Sequence, residues 1–92
     1  MIKIVGKTED NKVVVAGLFK LYDTSGLPLP IIFDLCQEKN WIPSFLDFYL
    51  EATKAGWKEK TILLRLEEAL IDIYGIEFSE NVLKRLKKLI NK

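Results

Sequence analysis

The residues that could carry out chemistry in this 92-residue chain are few, because the sequence contains no histidine and only one cysteine. Histidine is the commonest general base and metal ligand, and it is the usual partner of serine and cysteine nucleophiles. Its absence argues against catalysis and against a metal centre. We therefore expect no catalytic residue, no bound metal and no cofactor.

Paired carboxylates are the remaining chemical groups of interest. They occur as three pairs, Glu67 with Glu68, Asp47 with Glu51, and Glu68 with Asp72. An acid–base or di-metal site needs such groups to converge on a cavity from facing helices. The hydrophobic pattern places these pairs mainly on solvated faces, so we interpret them as surface residues.

The single cysteine, Cys36, lies on the apolar side of a predicted helix, where a free thiol behaves as a small core residue. It cannot form an internal disulfide, which favours a reducing compartment and hence the cytoplasm. No apolar run approaches the length that spans a bilayer, so we expect no membrane insertion.

The charge distribution is uneven, although the formal net charge is only +1. All 13 acids lie in residues 1–80, whereas residues 81–92 contain the cations Lys84, Arg85, Lys87, Lys88 and Lys92. Such a face could bind nucleic-acid phosphates independently of sequence. Late-helix cations also complement the helix dipole and keep a protein soluble. Because no aromatic residue is interleaved with the cations, the second interpretation is favoured, while the first stays open.

The sequence pattern predicts a mainly α fold for the elements that position these residues. We predict a single domain, a compact bundle of about five short helices preceded by a short N-terminal strand or arm. Residues 9–22 are predicted as the first helix, with Thr8 as its N-cap. The valines at 13–15 favour a strand, so a hairpin that pairs residues 2–7 with 12–16 remains the alternative.

Further helices are predicted from Pro30 to about Lys39, from Pro43 to Gly56, over residues 58–74, and after Ser79. Gly75 is the expected terminator of the fourth of these five helices. Ser79 is the expected N-cap of the last one, with Phe78 and Leu83 forming a hydrophobic staple. Leu83, Leu86, Leu89 and Ile90 are expected to face inward.

The helix over residues 58–74 has a second apolar stripe formed by Leu64 and Ile71. A helix with so wide an apolar surface packs on several neighbours or buries a subunit contact. Trp41 and Trp57 flank the preceding helix, where indoles usually pack at the ends of a bundle, although an exposed one can anchor a partner. These four residues are the candidate partner interface.

Residues 17–41 contain the sequence Leu-Tyr-Asp-Thr-Ser-Gly-Leu-Pro, in which Tyr22, Asp23, Thr24, Gly26 and Pro28 form a helix-breaking turn. This segment resembles alanyl-tRNA synthetases, in which a helix ends in a Tyr-Asp-Thr-Tyr-Gly-Phe-Pro turn and a second helix follows. The resemblance implies a helix before the turn and a link to tRNA recognition. Ser25 and Leu27 replace the two aromatic residues of the family's turn. The family's catalytic core and its editing-site metal ligands have no counterpart here, so the resemblance implies neither aminoacylation nor editing.

Two functional hypotheses follow. The first is a non-enzymatic interaction module whose partner is another protein or a second copy of the chain. The second is a nucleic-acid binder that uses the basic C-terminal helix on RNA, tRNA or DNA.

Overall fold

The structure is a computed structural model that describes residues 2–91. Within them, three strands and five helices follow one another as β1 (Lys3–Lys7), β2 (Val13–Ala16), α1 (Leu18–Ser25), α2 (Leu29–Glu38), β3 (Trp41–Pro43), α3 (Phe45–Lys54), α4 (Glu59–Tyr74) and α5 (Ile76–Ile90). The predicted fold class is confirmed, because five short helices form one globule of 31 × 28 × 24 Å with a short N-terminal sheet.

The helix predicted over residues 9–22 is wrong before Leu18, and the alternative hairpin is correct. β1 pairs antiparallel with β2, so that Lys3 lies opposite Ala16. The intervening turn is closed by the Thr8 hydroxyl oxygen, which accepts the Lys12 N–H at 3.0 Å, and by Asn11 at a positive φ of 65°. Thr8 therefore stabilises a hairpin turn rather than a helix start. The β-branched valines of β2 pack well on a pleated sheet, and this preference prevails over the helical spacing.

The sheet has a third strand that the sequence did not predict. β3 pairs in parallel with β2, with Val13 opposite Trp41 and Val15 opposite Pro43. Parallel strands require a long crossover connection, and α1 and α2 supply it. Trp41 and Ile42, which were predicted to link two helices, and Pro43, which was predicted to begin the third helix, are therefore extended because a neighbouring strand provides hydrogen-bond partners.

The boundaries of α2 and α4 agree with the predicted ones to within about one residue, and Gly75 ends α4 as expected. α3 begins later than predicted, at Phe45, because Pro43 belongs to β3. Its N-cap is Ser44, whose hydroxyl oxygen accepts the Asp47 N–H at 3.3 Å.

α5 begins directly after Gly75 and not after Ser79. Ser79 lies within the first turns of the helix with 1% of its surface exposed, so it is not an N-cap. Its hydroxyl has no hydrogen-bond partner among residues 2–91. The predicted staple is wrong as well, since Phe78 stacks on Tyr74 with ring centroids 4.7 Å apart.

One hydrophobic core joins the sheet to all five helices. Its buried members are Val15, Leu18, Phe19, Leu29, Ile32, Phe33, Cys36, Phe48, Ala52, Ile62, Leu66, Ala69, Leu70, Leu83 and Leu86. α4 packs against α2, α3 and α5, as the wide apolar surface of residues 58–74 predicts. Among residues 2–91, every helix falls short of the length and hydrophobicity that a bilayer-spanning segment needs.

The buried position of Ser79 predicts the direction in which its replacement by alanine changes stability. Replacement of a serine that caps a helix by alanine lowers the free energy of unfolding by about 0.5–2 kcal/mol. We expect Ser79→Ala instead to raise the free energy of unfolding by about 0.5–1 kcal/mol, because it removes an unpaired buried hydroxyl and introduces a better helix former. Urea denaturation measures the change.

The matched control is Ser44→Ala, which removes an observed N-cap and should lower the free energy of unfolding by about 1 kcal/mol. A clear loss of stability in Ser79→Ala would contradict the placement of that hydroxyl.

Candidate functional site: an apolar groove beside the basic helix

An open groove of about 400 Å³ lies between the sheet, the first turn of α3 and one flank of α5. We call it the α5 groove, and its lining residues are Thr8, Val14, Ile42, Pro43, Ser44, Phe45, Leu46, Phe78, Asn81, Val82, Arg85, Leu86 and Leu89. Most of this lining is apolar. The groove follows α5 from Phe78 to Leu89, a distance of about 16 Å at 1.5 Å per residue.

The pleat of the sheet produces the floor of the groove. Successive side chains of a strand point to opposite faces, and Val13 and Val15 contact the hydrophobic core. Val14 therefore points to the other face. Its register partner on β3 is Ile42, so these two side chains lie next to each other on the groove side of the sheet.

The walls carry two leucines that the fold leaves accessible. Leu46, in the first turn of α3, is 37% exposed, and Leu89, near the end of α5, is 48% exposed. The sequence placed Leu89 on the inward face of the last helix, and this is wrong. α5 turns its Leu83 and Leu86 side toward the core, which leaves Leu89 on the flank that borders the groove.

The polar residues of the groove are a hydroxyl at each of Thr8 and Ser44, the amide of Asn81 and the guanidinium of Arg85. Within residues 2–91, no acid contributes to the lining. The groove therefore combines apolar walls with a cationic hydrogen-bond donor.

The predicted basic face is present on α5, where Lys84, Arg85, Lys87 and Lys88 are all exposed. At 100° per residue, these four side chains cover about 160° of the helix circumference. Arg85 borders the α5 groove, whereas Lys87 borders a depression between α4 and α5. The ion pair found among residues 2–91 joins Arg65 and Glu68, so these four cations have no acidic partner there. The fifth predicted cation, Lys92, lies outside the described residues.

The predicted partner interface divides into two parts. Leu64 and Ile71 are 53% and 41% exposed on the outer face of α4. Leu64 lines the depression between α4 and α5 together with Lys60, Glu67 and Lys87. The apolar stripe and the basic helix thus meet at this depression.

The two tryptophans lie apart from that stripe and are half-buried. Trp57 packs edge-on against Phe19, with ring centroids 5.4 Å apart, and against Tyr22 at 6.0 Å. Trp41 packs on the hydrophobic core, and the Lys39 ammonium lies 5.4 Å from the centroid of its ring. Both indoles therefore contribute to packing.

The turn between α1 and α2 begins later than predicted, because α1 continues to Ser25 and so includes Tyr22, Asp23 and Thr24. Gly26 adopts the left-handed conformation at the end of α1, with φ 74°. The Thr24 hydroxyl donates to the Lys20 carbonyl at 2.7 Å, and the ring of Tyr22 packs in the aromatic cluster. Asp23 is exposed, and Pro28 immediately precedes α2. These contacts account for the turn without a ligand.

The carboxylate pairs do not converge on a cavity. Asp47 accepts the Gly17 N–H at 2.9 Å, so one member of a predicted pair connects α3 to the segment after β2. Glu67, Glu68 and Asp72 are exposed on α4. Nowhere in residues 2–91 do three or more histidine, cysteine, aspartate or glutamate side chains cluster as metal ligands would.

Cys36 is buried in the core, as predicted. Burial raises the pKa of its thiol to about 11, because the thiolate is poorly solvated there. Burial also raises the pKa of Tyr74 to about 12, with smaller contributions from the charges of Cys36 and Asp34. Both groups are held in their neutral forms at neutral pH.

Comparison of the chain with protein-family models, with curated proteins and with solved structures finds no match. The geometry described above is therefore the basis for a functional proposal.

The pKa shift of Cys36 predicts a loss of stability in alkaline solution. The unfolded chain releases the thiol proton near the ordinary pKa of 9.0, whereas the folded chain retains it up to about 11. Between these values the unfolded state binds fewer protons, so the free energy of unfolding falls as pH rises. Below about pH 9 this contribution is constant.

Urea denaturation at intervals from about pH 8 to about pH 11 tests this, with Cys36→Ala as the reference. The variant lacks the thiol, so the wild type should lose stability more steeply than the variant. Parallel pH profiles would show that the thiol does not contribute.

Proposed function

We propose that this protein is a non-enzymatic interaction module that binds a protein partner in the α5 groove. The observation that supports the proposal is the open apolar groove itself, with Leu46 and Leu89 exposed on its walls. A contiguous accessible apolar surface with a polar rim is typical of an interaction site.

The dimensions of the groove suit a secondary-structure element of a partner. A length of about 16 Å corresponds to three turns of a helix, which would place apolar side chains at i, i+4 and i+7 against the groove. Arg85 at the rim offers a planar set of donors that can bind a carboxylate with two parallel hydrogen bonds. An amphipathic segment with an acidic residue fits both features.

The groove is better suited to binding than to catalysis. Its polar side chains are two hydroxyls, one amide and one guanidinium, none of which acts as a general base near neutral pH without an activating partner. The buried, neutral Cys36 thiol suits a reducing compartment, so we propose the cytoplasm as the location.

Selection of peptides from a random display library tests the interaction module. We expect peptides that bind the wild type to share apolar residues at helical spacing with an acid among them. Leu89→Asp should lower the affinity for these peptides at least about tenfold. Binding is measured by fluorescence anisotropy, and the site by ¹⁵N amide shifts of groove residues.

Leu50→Asp is the matched control, because Leu50 is an exposed leucine outside the groove lining. Peptides that bind wild type and Leu89→Asp equally would refute the groove as the binding surface.

Nucleic-acid binding is the second candidate, favoured by the exposed cations of α5, which form no ion pair with any acid in residues 2–91. The resemblance of residues 17–41 to alanyl-tRNA synthetases adds to it. The cations are spread over a wide angle of α5, and Trp41 and Trp57 are packed against other residues. Nucleic-acid binding therefore has less support than the binding of a protein partner in the groove.

This alternative predicts salt-dependent binding to tRNA or duplex DNA that depends on α5. Reversal of Lys84, Lys87 and Lys88 to glutamate should abolish the binding and its salt dependence, since each phosphate contact adds about −0.9 to the slope of log affinity against log salt. A variant that reverses Lys20, Lys54 and Lys58 has the same net charge and is the control. Equal affinity of the two variants, or no binding by the wild type, would reject nucleic acid.

A further inference from the structure

We propose that the protein partner of the α5 groove is a second copy of this chain, which inserts the outer face of its α4. The proposal rests on the proposed function, because it requires that the groove bind protein. It connects two surfaces of one chain that have no common role within the monomer.

The inserting surface, which we call the α4 face, consists of Leu64, Glu67 and Ile71. The two apolar side chains are seven residues apart, so they project from the same side of α4 about 10 Å from each other. Both are exposed, and Glu67 lies between them on the same side. This is the apolar and acidic pattern that the groove is suited to receive.

The receiving surface matches the α4 face in length. The groove extends about 16 Å along α5, which is sufficient for two anchors separated by about 10 Å. Leu46 and Leu89 provide accessible apolar contacts on opposite walls, from α3 and from α5.

The two surfaces each contain one charged side chain that could pair across the contact, Glu67 on the α4 face and Arg85 in the groove. Glu67 has no ion-pair partner among residues 2–91, and the groove has Arg85 at its rim with no acid in its lining. Lys88 is exposed close to Arg85 on α5. A contact between Glu67 and Arg85 would pair two side chains that have no ion-pair partner within residues 2–91.

The fold prevents a chain from filling its own groove. α4 packs along one flank of α5, where Lys87 lies, and the groove follows the opposite flank, where Arg85 lies. About 160° of the α5 circumference separates these two side chains. The α4 face must therefore come from another molecule.

Because the α4 face and the groove are different surfaces, their contact is heterologous. Each added copy leaves one free groove and one free α4 face, so association continues into a ring or an open chain of molecules. A symmetric contact that placed two grooves against each other would end at the dimer.

Complementation between two variants tests this arrangement. A face variant, Leu64→Lys with Ile71→Lys, retains the groove, and a groove variant, Leu46→Asp with Leu89→Asp, retains the α4 face. All four side chains are exposed, so both variants should fold, which circular dichroism checks. Sedimentation velocity of the full chain from about 10 µM to about 1 mM measures the mass.

We expect the wild type to exceed 10.6 kDa increasingly with concentration, and each variant alone to remain at that monomer mass. An equimolar mixture should form a species of twice the monomer mass and nothing larger, because only one intact face and one intact groove remain. Leu50→Lys, which changes an exposed leucine outside both surfaces, should associate like the wild type.

The ion pair provides an independent measurement. Glu67→Arg and Arg85→Glu should each weaken association, and the double variant should restore it, since the two charges are exchanged.

A wild type that stays monomeric at the highest concentration overturns self-association. If the selected peptides still bind the monomeric wild type, and Leu89→Asp abolishes this binding, the proposed function stands and the partner is a different protein. A wild type that associates, with variants that fail to complement, overturns the head-to-tail contact.

Discussion

The end of β2 is joined to the start of α3 by two hydrogen bonds, and the rest of the molecule is arranged around this junction. The Ser44 N–H donates to the Val15 carbonyl at 2.8 Å, and the Gly17 N–H donates to the Asp47 carboxylate at 2.9 Å. Hydrogen bonds to charged groups are stronger than neutral ones, and buried backbone groups left unpaired are costly. The junction thus places residues about 30 apart in sequence beside one another and orients α3 against the sheet.

The groove is a consequence of this junction and of the direction of α5. The first turn of α3 becomes one wall because Ser44 is fixed beside β2, and the groove face of the sheet becomes the floor. Gly75, at φ 93°, reverses the chain between α4 and α5 without a longer loop. α5 then packs its Leu83 and Leu86 side on the core, and its Phe78 and Leu89 flank borders the groove.

This arrangement gives the basic helix a particular role in the proposed mechanism of binding. Its cations occupy one side of the helix, so that Arg85 borders the groove and Lys87 borders the α4 side. Apolar contact would supply most of the binding energy, while the charges select an acidic partner and orient it. The same cations remain available to a phosphate backbone, which is why nucleic acid is the competing candidate. The turn that resembles alanyl-tRNA synthetases is stabilised by contacts within this chain, so its geometry requires no RNA.

The sequence by itself determined the elements whose signals are local. The period of the apolar residues and the flanking Gly75 predict α4, and Pro30 with its following apolar face predicts α2, because helix formation depends on neighbours within one or two turns. The burial of Cys36 also follows from helical spacing, whereas that spacing left open whether Leu64 and Ile71 pack inside the chain or remain exposed.

Only the tertiary structure decided the elements that depend on distant partners. β3 exists because β2 lies alongside it, and the segment before Leu18 is a strand because β1 returns to pair with it. Ser79 has the residue type of an N-cap, but Gly75 already starts the helix and packing buries the serine. The α5 groove was not predictable for the same reason. Its lining comes from the sheet, α3 and α5, and only the packing of these elements determines which apolar side chains remain accessible.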